Sequence, residues 1–204
     1  LGLDEGSETE GYDREHMRLR ENQLDLLREI AEVNPNVGVV LQCGSPVEMT
    51  WDVFVRAVLH LYLGGQAVGS ACAALLTGEA NPSGKLAETM PVRLEDTPCA
   101  PWYPGREATS EYREGLFVGY RYYESAHKRV KYPFGYGLSY TEFSYAPGEF
   151  SPGGVSFTVK NTGSRAGAEV AQLYVRSKTL GMLRPALSLA GFARVELLPG
   201  EEKT

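Results

Sequence analysis

The stretch Ser7-Glu8-Thr9-Glu10-Gly11-Tyr12-Asp13-Arg14 holds the residues of this chain best suited to proton transfer. Asp4, Glu5, Glu8, Glu10 and Asp13 crowd the segment ahead of the first predicted helix, and Gly11 lets the backbone turn sharply among them. A flexible loop with carboxylates beside one tyrosine and one arginine can deliver a proton donor to a substrate bound elsewhere. The same residues also fit a solvated, acidic lead-in to a helix. The loop alone leaves both readings open, and the order of the motifs that follow bears on the choice.

Other chemistries find less support. His16, His60 and His127 are scattered and make no metal spacing with Cys43, Cys72 and Cys99, so neither a metal nor another cofactor is expected. Gly78 to Lys85 looks like a phosphate loop, but its glycines stand one residue too far apart and Leu86 replaces the Ser or Thr that holds magnesium. Gly64-Gly65-Gln66-Ala67-Val68-Gly69 lacks the Gly-x-Gly of a dinucleotide site, and Gly44-Ser45-Pro46 is not a nucleophile elbow.

Composition narrows the partners. The chain is 43% hydrophobic and 23% charged, the balance of an ordinary globular protein. A formal net charge of −6 argues against nucleic acid, which needs a basic face. No apolar run approaches the roughly 20 residues that span a bilayer, so no membrane partner is expected. Cys43 and Cys72 sit in apolar surroundings and read as small core residues, which favours a reducing, cytoplasmic compartment.

The elements that must position the acidic loop follow it. Residues 22–33 predict an amphipathic helix with Leu24, Leu27, Ile30 and Ala31 on one face, stopped by Asn34-Pro35-Asn36. Val37–Leu41 is a continuous apolar run, the pattern of a parallel strand buried on both faces. A second run, Ala57–Leu63, leads through Gly64-Gly65 into a helix over Gln66–Leu76 whose small residues permit close packing on a sheet. Helix, strand, helix is the rhythm of an α/β layer, and loops after its strands face the ligand.

Nine of the twelve tyrosines then fall between Tyr103 and Tyr145. Such a segment lays amphipathic rings over a neighbouring surface, with sugar stacking as the other use. From Gly153 the period becomes two: Val155, Phe157 and Val159, then Ala171, Leu173 and Val175, then Leu187 to Leu197. This predicts three or four strands of an antiparallel sandwich that usually needs about seven. The expected organisation is α/β over 1–95 (a partial α/β sandwich with a mostly parallel sheet), an aromatic connector over 96–145, and an incomplete all-β, immunoglobulin-like sandwich over 146–204. With no initiator Met and a last Pro199-Gly200 turn that should launch another strand, the chain reads as a piece of a longer protein.

In this order the motifs resemble the carboxy-terminal portion of glycoside hydrolase family 3, the β-glucosidases and their relatives. The matching residues are Glu8–Arg14, Asn34-Pro35-Asn36, Gly44–Glu48, Gly64-Gly65-Gln66, Asn81–Leu86, Val118–Tyr123, Pro133–Thr141, Asn161-Thr162-Gly163 and Gln172–Val175. Val68, Cys43 and Arg20 depart from the family's common Gly, Asn and Pro.

The resemblance implies a retaining β-glycosidase that hydrolyses O-glycosidic bonds of a small β-glycoside or oligosaccharide. A (β/α)8-type barrel, missing here, would carry an Asp nucleophile. A Glu on the loop at residues 4–14 would be the acid/base, with Glu10 the first choice and Glu8 the alternative. Asp13 and Arg14 would anchor that loop through an ion pair, and the last module would be fibronectin type III-like. The competing reading is a non-catalytic structural or carbohydrate-binding module in which Glu8 and Glu10 are merely solvated.

Overall fold

The computed structural model describes residues 1–105, 108–109, 111–178 and 183–204. The chain divides into two units: Leu1–Cys72 with Glu88–Phe134, and Ala73–Ala87 with Gly135–Thr204.

In the first unit, helix α1 (Glu21–Val33) forms where periodicity predicts it. Leu24 and Leu27 are buried, but Ile30 is 40% exposed because the last turn runs past the core cluster. Asn34 ends the helix. Its N–H bonds the Ile30 carbonyl at 2.9 Å, and its Oδ1 accepts from the Asn36 N–H at 2.9 Å, an Asx turn that Pro35 stiffens.

The chain then enters β1 (Gly38–Leu41), which pairs in parallel with β2 (Ala57–His60), Gly38 opposite Ala57 and Leu41 opposite His60. Residues 1–3 add a short parallel bridge at Gly2 and Gln42. Gln23 of α1 brackets Gly2 with two amide hydrogen bonds of 2.9 Å. A side chain at Gly2 would place its first carbon 2.3 Å from the Gln42 carbonyl oxygen, so the approach requires glycine.

Burial of β1 on both faces is only half realised. Val39 and Leu41 are buried while Val40 between them is half-buried, because α1, Leu19, Cys43, Val47, Met49 and Trp51 fill one side. Helix α2 (Val68–Thr77) carries no buried residue. Its Val68, Cys72, Ala74 and Leu75 are half-buried and the rest of the helix is exposed.

Within the tyrosine-rich stretch the surroundings differ: Tyr123 is buried, Tyr120, Tyr122 and Tyr132 are half-buried, and Tyr103, Tyr112, Tyr136, Tyr140 and Tyr145 are exposed. β3 (Met90–Pro91) pairs antiparallel with β4 (Val130–Tyr132), with the short helix α3 (Tyr120–Ser125) between them in sequence. Tyr123 is buried, and Tyr120 stacks on Phe134 with ring centroids 4.8 Å apart. Lys131 Nζ and Tyr132 OH converge on the Asp52 carboxylate at 2.6 and 3.0 Å.

The second unit is a β-structure with more strands than alternation revealed. β5 (Phe143–Ser151), β6 (Gly154–Asn161) and β9 (Glu202–Lys203) form one antiparallel sheet, and β7 (Gly167–Val175) pairs antiparallel with β8 (Ser188–Leu197). β5 escaped the sequence reading because Pro147-Gly148 interrupts its period. These residues sit at a register shift, between Ala146 and Glu149, where a strand tolerates proline.

The apolar core here is small, built on Val159, Ala171 and Leu197 with Phe143, Phe157 and Val195 against it. Polar hubs supplement it. Asn81 Oδ1 accepts from Ser139 Oγ and the Tyr140 N–H, while its Nδ2 donates to the Ala166 carbonyl. Lys85 Nζ donates to the Gly137 carbonyl and to Glu169 Oε2 at 3.0 Å. The Asn81–Leu86 motif is thus a tether within this unit.

Asn161 is fully buried and satisfied on every side. Its Oδ1 accepts from Thr141 Oγ1 and the Gly163 N–H, and its Nδ2 donates to the Arg165 and Leu197 carbonyls. An Asn161→Ala variant strands these partners, at about 1–3 kcal/mol for each group left unsatisfied. Urea titration followed by a probe in the second unit should show a loss of at least about 3 kcal/mol, and a loss below 1 kcal/mol would contradict the hub role.

Candidate functional site

Parallel strands end together, so the exits of β1 and β2 emerge at one edge of their sheet. Residues 42–46 leave β1 there, and His60 to Tyr62 leave β2. The acidic loop lies against the first of these exits. Asp4 opens the loop as a cap. Its Oδ1 accepts from the Ser7 N–H at 2.9 Å, its carbonyl accepts from the Ser7 and Glu8 N–H groups, and its carboxylate pairs with Arg20. The Ser7 bond, helped by Arg20, holds the Asp4 carboxyl below its ordinary range.

Glu8 is taken up by the protein. Its Oε1 accepts the Gly44 N–H at 2.6 Å and the Ser45 hydroxyl at 3.3 Å. Arg14 reaches the same turn from the other end of the loop, donating from Nη1 to Ser45 Oγ at 2.7 Å and to the Pro46 carbonyl at 3.4 Å. The expected Asp13–Arg14 pairing is replaced by these contacts, and Asp13 faces the Tyr103 hydroxyl instead. Burial, with the Asp13 carboxylate adding to it, raises the Tyr103 pKa.

Glu10 is exposed, and its carboxylate takes no hydrogen bond among the described residues. Two glutamates of identical type, two positions apart, therefore have opposite surroundings. One is consumed by a turn 36 residues away in sequence, and the other stands on the arc between the two anchors, beside exposed Tyr12.

Behind the loop, the strand exits carry groups shielded from water. Burial pushes the Cys43 thiol up to about 11, with the Glu8 carboxylate adding to it, which leaves a protonated and unreactive thiol. Burial also lowers the His60 pKa and raises that of Glu88. His60 Nδ1 lies 3.3 Å from the Leu41 carbonyl, a contact that places the proton on Nδ1 of the neutral ring. An open cleft of about 420 Å³, lined by Leu1, Gly2, Leu3, Asp4, Gln23, Gln42 and Leu63, adjoins the base of the loop. Among the described residues, no group of three or more His, Cys, Asp or Glu side chains is placed to hold a metal ion. No helix among them is long and apolar enough to cross a membrane.

Sequence reasoning found both glutamates but missed Ser45, Tyr103 and Glu88. Gly44-Ser45-Pro46 was visible as a motif that is no nucleophile elbow; its use as a docking turn depends on bonds from residues more than thirty positions upstream.

Comparison with known proteins places this geometry in context. Residues 1–140 match the glycosyl hydrolase family 3 C-terminal domain, and residues 169–204 match the fibronectin type III-like domain. The chain is similar to thermostable beta-glucosidase B of Acetivibrio thermocellus, with 50% identity over its whole length and 28% of the relative covered. Among solved structures, a GH3 beta-glucosidase of Bifidobacterium adolescentis superposes with a TM-score of 0.95 at 41% identity, over 100% of this chain and 31% of that one. A beta-glucosidase of Kluyveromyces marxianus, solved in complex with glucose, gives 0.88 at 39% identity, over 100% and 25%. The chain thus spans between a quarter and a third of the length of these relatives.

Glu88 offers a test of the site's electrostatics. Its raised pKa means the folded state binds that proton more tightly than the unfolded state. Stability is therefore lost as pH rises from the ordinary glutamate value of 4.5 through the folded value. Glu88→Gln removes this loss. Thermal melting should give the variant a higher midpoint than the parent at pH 8, by about 2–4 °C per kcal/mol recovered, and no gain at pH 4. A gain of equal size at both pH values would refute buried ionisation as the cause.

Proposed function

The chain belongs to glycoside hydrolase family 3, and on that premise we propose that it supplies the acid/base loop of a retaining β-glycosidase acting on β-glucosides. Glu10 is the proton donor. The observation that supports this is its freedom: it projects, unbonded, from a loop anchored on both sides, whereas Glu8 is already committed to Gly44 and Ser45.

In the first step a carboxylate from a barrel module attacks the anomeric carbon. The bond to the leaving oxygen breaks as Glu10 transfers its proton to that oxygen. In the second step Glu10, now a carboxylate, takes a proton from water, whose oxygen displaces the enzyme carboxylate from the sugar. The two carboxyl groups stand about 5–5.5 Å apart in such enzymes, so the barrel has to close over the arc that carries Glu10. That closure also supplies the desolvation a carboxyl needs to keep its proton near neutral pH.

On this reading residues 1–95 are the second half of the α/β sandwich domain, 96–145 the connector, and 146–204 the fibronectin type III-like module. The substrate is a small β-glycoside or oligosaccharide. Three free cysteines fit a cytoplasmic setting.

The test uses the natural polypeptide that contains these residues, assayed on aryl β-glucosides of graded leaving-group ability. Glu10→Gln should lower kcat on a poor leaving group by roughly 10²–10⁴-fold, the usual worth of general acid catalysis. It should spare glycosylation on an activated dinitrophenyl glucoside. The 204-residue chain alone should show no turnover. Full activity of Glu10→Gln on the poor leaving group would overturn the assignment, and turnover by the chain alone would overturn the need for a second module.

A further inference from the structure

We propose that Glu8 is a positioning residue: with Arg14 it clamps the loop onto the Gly44–Pro46 turn and so fixes where Glu10 projects. The inference rests on Glu10 being the proton donor. It assigns Glu8 a role distinct from chemistry.

Three observations carry it. First, one oxygen of Glu8, Oε1, accepts both the Gly44 N–H at 2.6 Å and the Ser45 hydroxyl at 3.3 Å. The short charge-assisted bond to Gly44 is of the stronger class, and the longer Ser45 contact is weaker. Second, Arg14 Nη1 donates to the same Ser45 oxygen at 2.7 Å and to the Pro46 carbonyl. Ser45 therefore gives its proton to Glu8 and receives one from Arg14, which links the two ends of the arc through a single hydroxyl. Third, the arc between the anchors is short, residues 9–13, and Asp13 at its end faces Tyr103. A five-residue arc with both feet on one tight turn has few conformations left.

The anchoring turn is itself fixed. Cys43 and Val47, on either side of it, are fully buried in the first unit's core, and Glu48 N bonds the Met17 carbonyl at 2.7 Å. Position is thus passed from packed core to turn, from turn to Glu8 and Arg14, and from these to Glu10. Glu8 in the role of acid would have to give up two bonds to reach a leaving group.

The experiment compares Glu8→Ala, Glu8→Gln, Glu10→Ala and the double Ala variant in the natural polypeptide. Glu8→Ala should lower kcat on a poor leaving group by on the order of 10–10²-fold, the cost of misplacing a catalytic group by about 1 Å, with little change in KM. Glu8→Gln should recover most of that loss, because an amide oxygen can still accept both bonds. In the Glu10→Ala background, Glu8→Ala should cost nothing further, since it acts only through Glu10. Added azide should trap a glycosyl azide from Glu10→Ala and not from Glu8→Ala. Amide hydrogen exchange supplies a readout independent of activity: residues 7–14 and Gly44 should exchange faster in Glu8→Ala, while α1 is unchanged.

Full activity of Glu8→Ala alongside a crippled Glu10→Gln would overturn the clamp and leave the Glu10 assignment standing. Glycosyl azide from Glu8→Ala, with Glu8→Gln as impaired as Glu8→Ala, would make Glu8 the acid and overturn both. Unchanged exchange at residues 7–14 would overturn the clamp whatever the kinetics.

Discussion

Parallel pairing of β1 with β2 is the constraint from which the rest of the first unit follows. It sends both strands out of the sheet at one edge, and beyond that edge the backbone N–H of Gly44 has no ladder partner. An unpaired donor at a strand exit is where an acidic side chain can dock, and Glu8 does so at 2.6 Å. The bridge of Gly2 to Gln42 starts the acidic loop beside the same strand, so its approach to the exit is short. Had the strands run antiparallel, their exits would lie at opposite edges, and His60 would not sit behind the loop.

Magnitudes separate what stabilises this unit from what positions its parts. Burying a Leu, Val, Met or Trp side chain contributes about 1.5–3 kcal/mol, and nine buried residues from Leu19 to Trp51 share one cluster. A hydrogen bond to a charged group adds about 1.5–3 kcal/mol at most. The apolar cluster therefore dominates stability. The bonds from Glu8 and Arg14 add less, but they are directional, so they decide geometry. The half-buried Glu88 and His60 oppose stability when charged, as their pKa shifts in opposite directions record.

The second unit combines a smaller apolar cluster with polar tethers. Its core cluster rests on Val159, Ala171 and Leu197, and its buried Asn161 and half-buried Lys85–Glu169 pair join segments distant in sequence. Gly135, at φ +78°, packs so closely on Gln172 that an added carbon would lie 2.0 Å from Oε1. Several motifs that mark the family (Asn81–Leu86, Pro133–Thr141, Asn161–Gly163) contribute residues to such tethers.

Much of the architecture was legible because it follows from local periodicity. Leu24 and Leu27 at helical spacing, Asn34-Pro35 as a stop, the apolar runs of β1 and β2, and alternation along β6, β7 and β8 each depend on neighbours within a few residues. β5 was hidden by a bulge, whereas α2 took helical form between the Gly64-Gly65 and Gly78 breaks. The site divides the same way. Sequence placed two glutamates on one loop and could rank them only by resemblance, because Glu8 and Glu10 are the same residue in the same local setting. Tertiary structure separated them: the N–H of Gly44 and the hydroxyl of Ser45 are brought within reach of one carboxylate by strand packing, a contact that no short-range pattern encodes.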